Sequence, residues 1–164
     1  MSHNIVFYNE TLGRHITIEQ VQEEIAKYIH EQPKAEYKIT VGTDSPATAY
    51  AQFVTAVTVL RVGNGGRYFW TRSEKNFCPT LRERIYKEAI QSITLAQELK
   101  SRLKEKLGEE FFWDGKVAVH IDIGNGGPTK DLIEGVMGMV RGYGLEAAIK
   151  PYAFAASTVA DRHI

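Results

Sequence analysis

Cysteine is nearly absent from this 164-residue chain, where Cys78 stands alone. A single thiol forms no internal disulfide and supplies no cysteine-based zinc cage. Net charge is missing too, with 20 basic residues against 20 acidic, which argues against a general polyanion binder. No apolar run is long enough to cross a bilayer, so no membrane partner is expected. The opening MSHNIVFYNETLGR lacks a charged segment followed by a long apolar one. A secretory signal is therefore not expected, and the cytoplasm is the simplest location.

What is present is the composition of a soluble globular protein, 43% hydrophobic and 24% charged, on a chain long enough for one ordinary domain with a real core. Basic residues are unevenly spread. Between Arg72 and Lys106 there are nine Lys/Arg and five acids. That excess is read either as a solvated helix face or as a phosphate-contacting one.

The first periodic segment is ITIEQVQEEIAKYIHEQ. Thr17 and Gln20 have capping-box spacing, Ile16 and Val21 can staple the entry, and Ile18, Val21, Ile25, Tyr28 and Ile29 share one face. A helix is expected from residue 17 to 32, ended by Pro33. Three strands follow. YKITVGTDS alternates; YAQFVTAVTVLRV is rich in β-branched residues; RYFWTRSE returns after the glycine-rich turn Gly63–Gly66. They should form an antiparallel meander.

A long helix is then predicted from Pro79 to Gly108, with Leu81, Ile85, Ala89, Ser92, Ala96, Leu99 and Leu103 as its buried stripe. KVAVHIDI is a fourth strand and TKDLIEGVMGMVRGYG a further helix, whose Gly135 and Gly138 read as close-packing positions. LEAAIKPYAF is a fifth strand and ASTVADRHI a short terminal helix. After the leading helix the order is β-β-β-α-β-α-β-α, which suggests a mixed sheet with helices on its faces. The whole chain, 1–164, reads as a single domain: a helical extension over 1–36 and a core over 37–164.

In such a sheet the first and fourth core strands are parallel neighbours at the centre. Asp44 ends the first and Asp122 the fourth, and strict alternation aims both away from Ile39/Val41 and Val119/Ile121. Two carboxylates then meet at the carboxyl edge of the sheet, where ligand sites of open α/β sheets gather. Adjacent carboxylates repel, and a hard divalent cation such as Mg²⁺ or Mn²⁺ relieves the repulsion. Glu88 falls inside the apolar stripe of the long helix, whereas Glu83 lies on the opposite side. Asp161 sits in the terminal TVADRHI with His163 two residues on. Each acid also has a plain alternative: Asp44 and Asp122 as turn residues, Glu88 as a partner of Arg84, Asp161 as a charge near a chain end.

With ITVGTDS, ERIYKEAI, VHIDIGNGG and STVADRH on the page, the chain resembles the ribonuclease H-like superfamily, and within it the YkuK-type bacterial family, over about Tyr37 to Ile164. The resemblance implies an α/β fold with a mixed five-stranded sheet of order 3-2-1-4-5, helices on both faces and the N-terminal helix as an addition. It further implies a nuclease whose acidic cluster of Asp44, Asp122, Asp161 and a helix glutamate, Glu88 or Glu83, binds two divalent ions, Mg²⁺ or Mn²⁺, for phosphodiester hydrolysis. The partner would be nucleic acid, as RNA, DNA or hybrid. Arg82, Arg84 and Lys87 would meet phosphates without reading sequence. His163 or His120 would be available to move a proton.

Two other readings stay open. DIGNGGPTKD superficially resembles the phosphate loop of actin-like and sugar-kinase folds, which would make this a nucleotide-binding or phosphotransfer domain. The third is a non-catalytic nucleic-acid-binding or interaction domain on the same fold. Oligomeric state, and whether the leading helix covers the sheet or joins two copies, are left open.

Overall fold

The computed structural model describes residues 5–113, 115–123, 130–149 and residue 163. Two short strands, β1 (Phe7–Asn9) and β2 (Gly13–Ile16), precede helix α1 (Ile18–Glu31). The meander is β3 (Tyr37–Asp44), β4 (Tyr50–Arg61) and β5 (Gly66–Phe77). It is followed by α2 (Leu81–Leu107), β6 (Val117–His120), α3 (Ile133–Gly142) and β7 (Glu146–Ala148). Single 3₁₀ turns lie at Glu110–Phe112 and Lys130–Leu132.

The sheet runs β2-β1-β5-β4-β3-β6-β7. Its last five members are the expected core in the expected order: β3 antiparallel to β4, β4 antiparallel to β5, and β3 parallel to β6. The expected count of five strands is corrected to seven among the described residues. β1 and β2 form an antiparallel pair docked on β5 through Phe7↔Thr71 and Tyr8↔Trp70. At three and four residues they are too short to display a period of two, and β2 opens on Gly13 at φ 94°.

Local signals set the helix ends. Thr17 Oγ1 accepts from Gln20 N–H at 3.2 Å and Gln20 Oε1 accepts from Thr17 N–H at 2.8 Å, closing the capping box. Thr80 Oγ1 accepts from Glu83 N–H at 3.2 Å to start α2, and Gly108, at φ 84°, ends it. Of the predicted α2 stripe, Ile85, Ala89, Ser92, Ala96, Leu99 and Leu103 are buried. Leu81 is not, at 38% exposure. It occupies the first turn, before the helix has reached the sheet.

The principal core joins α1, α2 and α3 to Ile39, Val41, Val57, Val59, Val117 and Val119. Among the described residues all three α-helices thus lie on one face of the sheet. The expected terminal helix, the end of the fifth strand and the helix start at Pro128 or Thr129 fall outside the described residues. Gly135 is a close-packing position as expected, since a Cβ there would lie 2.6 Å from Tyr86 Oη. At Gly138 nothing among the described residues lies within 4 Å of where a Cβ would be, so no close packing is seen there. Among the described residues no helix is long and apolar enough to cross a membrane.

Candidate functional site at the carboxyl edge of the sheet

β3 and β6 run side by side with Ile39 opposite Val117 and Gly42 opposite His120. Two residues further along each chain stand Asp44 and Asp122. Parallel pairing in this register brings the two acids to one edge of the sheet. Asp44 is buried, and its Oδ1 accepts from Ser45 N–H at 2.8 Å. The α2 helix passes beneath this edge, fixed to β3 by hydroxyl contacts. Thr43 Oγ1 lies 2.7 Å from Ser92 Oγ and 2.9 Å from Thr55 Oγ1. That contact explains a serine in an otherwise apolar stripe.

One turn before Ser92, α2 presents Glu88. Ser45 Oγ donates to Glu88 Oε1 at 3.0 Å. The Glu88 carboxyl is pushed up to about 8, first by burial and next by the negative charge of Asp44. Asp122 pushes in the same direction, while the Ser45 hydrogen bond and the Arg84 charge pull it back only in part. Glu88 on α2 therefore senses two other acids, Asp44 at the end of β3 and Asp122 just past β6. Glu88 and Asp122 line one small cleft together with Thr43, Ile85 and His120. Glu83, the competing glutamate, is exposed on the first turn of α2.

His120 is buried, and burial followed by the Lys38 charge lowers its imidazole to about 4. It is neutral at ordinary pH. The three basic residues singled out on α2 lie in its first two turns. Arg82 is exposed, with its guanidinium 5.4 Å from the Tyr86 ring centre. Arg84 is half-buried beside Glu88, and its buried Nε has no hydrogen-bond partner among the described residues. Lys87 Nζ donates to Phe77 O at 2.7 Å. Asp161 lies outside the described residues, as do Gly124 to Thr129 of the glycine-rich segment after Asp122. His163 lies over Trp70 of β5 with ring centres 3.7 Å apart.

Sequence reasoning passed over Ser45, which reads there as a turn residue before Pro46. It did name Arg84, one helical turn before Glu88, as the glutamate's alternative partner and also as a phosphate contact.

Among the described residues no three His, Cys, Asp or Glu side chains stand close enough to form a ready metal cage. The donor set is nonetheless the right chemistry for a hard divalent cation, since Asp44, Glu88 and Asp122 offer only carboxylate oxygens. Glu88 is raised first by burial and then by repulsion from Asp44 and Asp122, and a cation between the carboxylates would relieve that repulsion.

A family model described as Ribonuclease H-like matches residues 20–164. A curated protein of Bacillus subtilis (strain 168), "Uncharacterized protein YkuK", is 31% identical, the match covering 99% of this chain and 98% of that protein. No solved structure matches.

Proposed function

The chain belongs to the ribonuclease H-like family, and from that premise we propose that it is a metal-dependent nuclease that hydrolyses phosphodiester bonds of nucleic acid. The observation that carries the reading is the raised Glu88 carboxyl, held up in part by Asp44 and Asp122. A carboxyl perturbed by two acids from other parts of the chain at a sheet edge is the mark of a working site.

In this reading Asp44, Glu88 and Asp122 hold divalent ions, Mg²⁺ or Mn²⁺, with Asp161 as a further ligand. When bound, the ions supply Lewis-acid stabilisation of phosphodiester charge and a water of lowered pKa. The other residues do conventional work. Ser45 fixes the rotamer of Glu88 through its hydroxyl. Arg84 balances the local negative charge. Arg82 and Lys87, on the same end of α2, meet phosphates as sequence-independent positioning contacts. His120, neutral down to about pH 4, is a weak base that offers a neutral imidazole for hydrogen bonding and not an imidazolium donor.

The test is cleavage of end-labelled RNA, DNA and hybrid with Mn²⁺ supplied. Asp44→Asn and Asp122→Asn are each expected to lower the rate about a hundredfold or more. Unchanged cleavage in both variants would overturn the reading. Nucleotide binding by calorimetry with no cleavage of any polymer would replace it with a phosphotransfer domain.

A further inference from the structure

The face of the sheet away from the helices is not uniformly covered. Cross-strand register places its residues on a grid. Asp44, Val54 and Arg72 form one row; Gly42, Ala56, Trp70 and Tyr8 form the next; Thr40, Thr58 and Tyr68 form a third. Toward the carboxyl edge, Gln52 pairs with Lys75 and Tyr50 with Phe77. Read along β5, this face therefore presents Tyr68, Trp70, Arg72, Lys75 and Phe77, a strand in which aromatic and basic side chains interleave.

The outer end of the stripe is open. Tyr50 is 64% and Phe77 51% exposed, yet their rings lie together with centres 4.9 Å apart. Two large rings left in water beside each other are an unusual use of apolar surface in a chain with a full core. Lys75 is exposed and has neither ion pair nor hydrogen bond among the described residues. Arg72 is exposed and spends one N–H on His163 O at 2.6 Å, leaving others of its five donors. Over β5 as a whole, Arg67, Arg72 and Lys75 outnumber the single acid Glu74.

The inner end shows what the surface accepts. The His163 imidazole lies flat on Trp70, 3.7 Å between centres and 6° between planes, while Tyr8 and Tyr68 stack on the same indole at 5.9 and 5.7 Å. A planar nitrogen heterocycle is thus already seated on this strand.

We propose that Tyr50, Phe77, Lys75 and Arg72 form a track for single-stranded nucleic acid, with bases stacking on the exposed aromatic pair and phosphates meeting the two cations. The inference rests on the nuclease reading and names its substrate form. Aromatic rings take any base through its π-face, and cations follow the backbone without reading it. Charge complementarity selects a polyanion over an apolar peptide. The aromatic pair selects unpaired bases over a duplex, whose bases are hidden. Arg72 shares its row with Asp44, two strands away, so the track passes the acidic edge at about 10 Å.

The measurement is fluorescence anisotropy of a short fluorescein-labelled oligouridylate with the full chain in EDTA, so that binding is separated from cleavage. The free strand is expected to bind more tightly than the same strand annealed to oligoadenylate. Tyr50→Ala with Phe77→Ala is expected to weaken binding about tenfold. Lys75→Gln should lower the slope of log affinity against log salt by roughly 0.7, one phosphate contact. Equal binding of single strand and duplex, or affinity and slope unchanged in these variants, overturns the inference. Self-association by light scattering that disappears in Phe77→Ala also overturns it, and assigns the pair to a second copy. The two proposals fail separately. Asp44→Asn that binds the strand but does not cut supports both, whereas a wild-type chain that cuts yet shows no single-strand preference sinks the track alone.

Discussion

On the helix-covered side of the sheet, Ile39, Val41, Val57, Val59, Val117 and Val119 meet α1, α2 and α3 through methyl groups, and the hydroxyls of Thr43, Thr55 and Ser92 satisfy one another. On the opposite side the same strands present Thr40, Asp44, Thr58, His120, Tyr68 and Trp70. There Thr40 Oγ1, Thr58 Oγ1 and Trp70 Nε1 are buried with no hydrogen-bond partner among the described residues. Alternation along a strand makes such a division possible at no cost in backbone geometry. One face is optimised for packing, while the other tolerates unmade hydrogen bonds and crowded charge. Proteins accept such local losses where the surface is used for something besides stability.

The comparison breaks first at the packed face. Leu99, 1% exposed on α2, should lose about 2–5 kcal/mol of stability on truncation to alanine, read as a fall in the urea midpoint with unchanged slope. A loss below about 1 kcal/mol would mean that the packed face collapses around a cavity as readily as a loose one.

Glu88 stands where the two faces meet, and its signature is a pH slope. Its folded pKa of about 8 exceeds the ordinary 4.5, so between those values the folded chain keeps a proton that the unfolded chain has released. Stability from this group is therefore lost as pH rises from about 4.5 to 8. Glu88→Gln has no such proton. In metal-free buffer its melting temperature should exceed that of the parent by a margin that widens from pH 5 to pH 8. His120 runs the other way: its lowered pKa makes stability rise between about 4 and 6.5, but that contribution is common to both proteins and cancels in the difference. A margin that stays flat would show that burial and the neighbouring acids do not hold the Glu88 carboxyl above its ordinary range.

The smallest effect is the sharpest contrast between the faces. Thr58→Val removes a hydroxyl that bonds to nothing among the described residues, and is expected to be neutral or stabilising within about 1 kcal/mol. Val57→Thr, one residue away on the packed face, buries a new hydroxyl without a partner and should cost about 1–3 kcal/mol. Chemical denaturation of the pair decides it, and equal costs would erase the distinction between the faces.

Much of this architecture was legible because it rests on local rules. The alternation of YKITVGTD, the glycine turn at Gly63–Gly66 and the Thr17/Gln20 box each have one dominant physical meaning, and together with the resemblance they led to the correct core order. The candidate acids were legible for the same reason, since strand period and helix period aim Asp44, Asp122 and Glu88 before any coordinate is known. The β1–β2 pair was not legible, because seven residues in two strands carry too little pattern and their pairing with β5 is long-range. Nor was the Thr43–Ser92 contact, which joins residues 49 apart in sequence. The exposed Tyr50–Phe77 pair escaped notice because an aromatic in a strand reads by default as core, and only the burial of its neighbours shows which way it faces.

The small N-terminal hairpin has a further consequence. The family match begins at residue 20, after β1 and β2, and a sheet ending at β5 would leave a twelve-residue strand as its outer margin. A long margin of unpaired amides and carbonyls is a template on which another chain can add, a hazard for solubility at high concentration. β1 occupies the middle of that margin at Trp70 and Thr71, and the new margin is β2, four residues long and interrupted by His15 at φ 63°. A bent, four-residue strand is a poor template, so the hairpin acts as a guard against sheet-to-sheet aggregation.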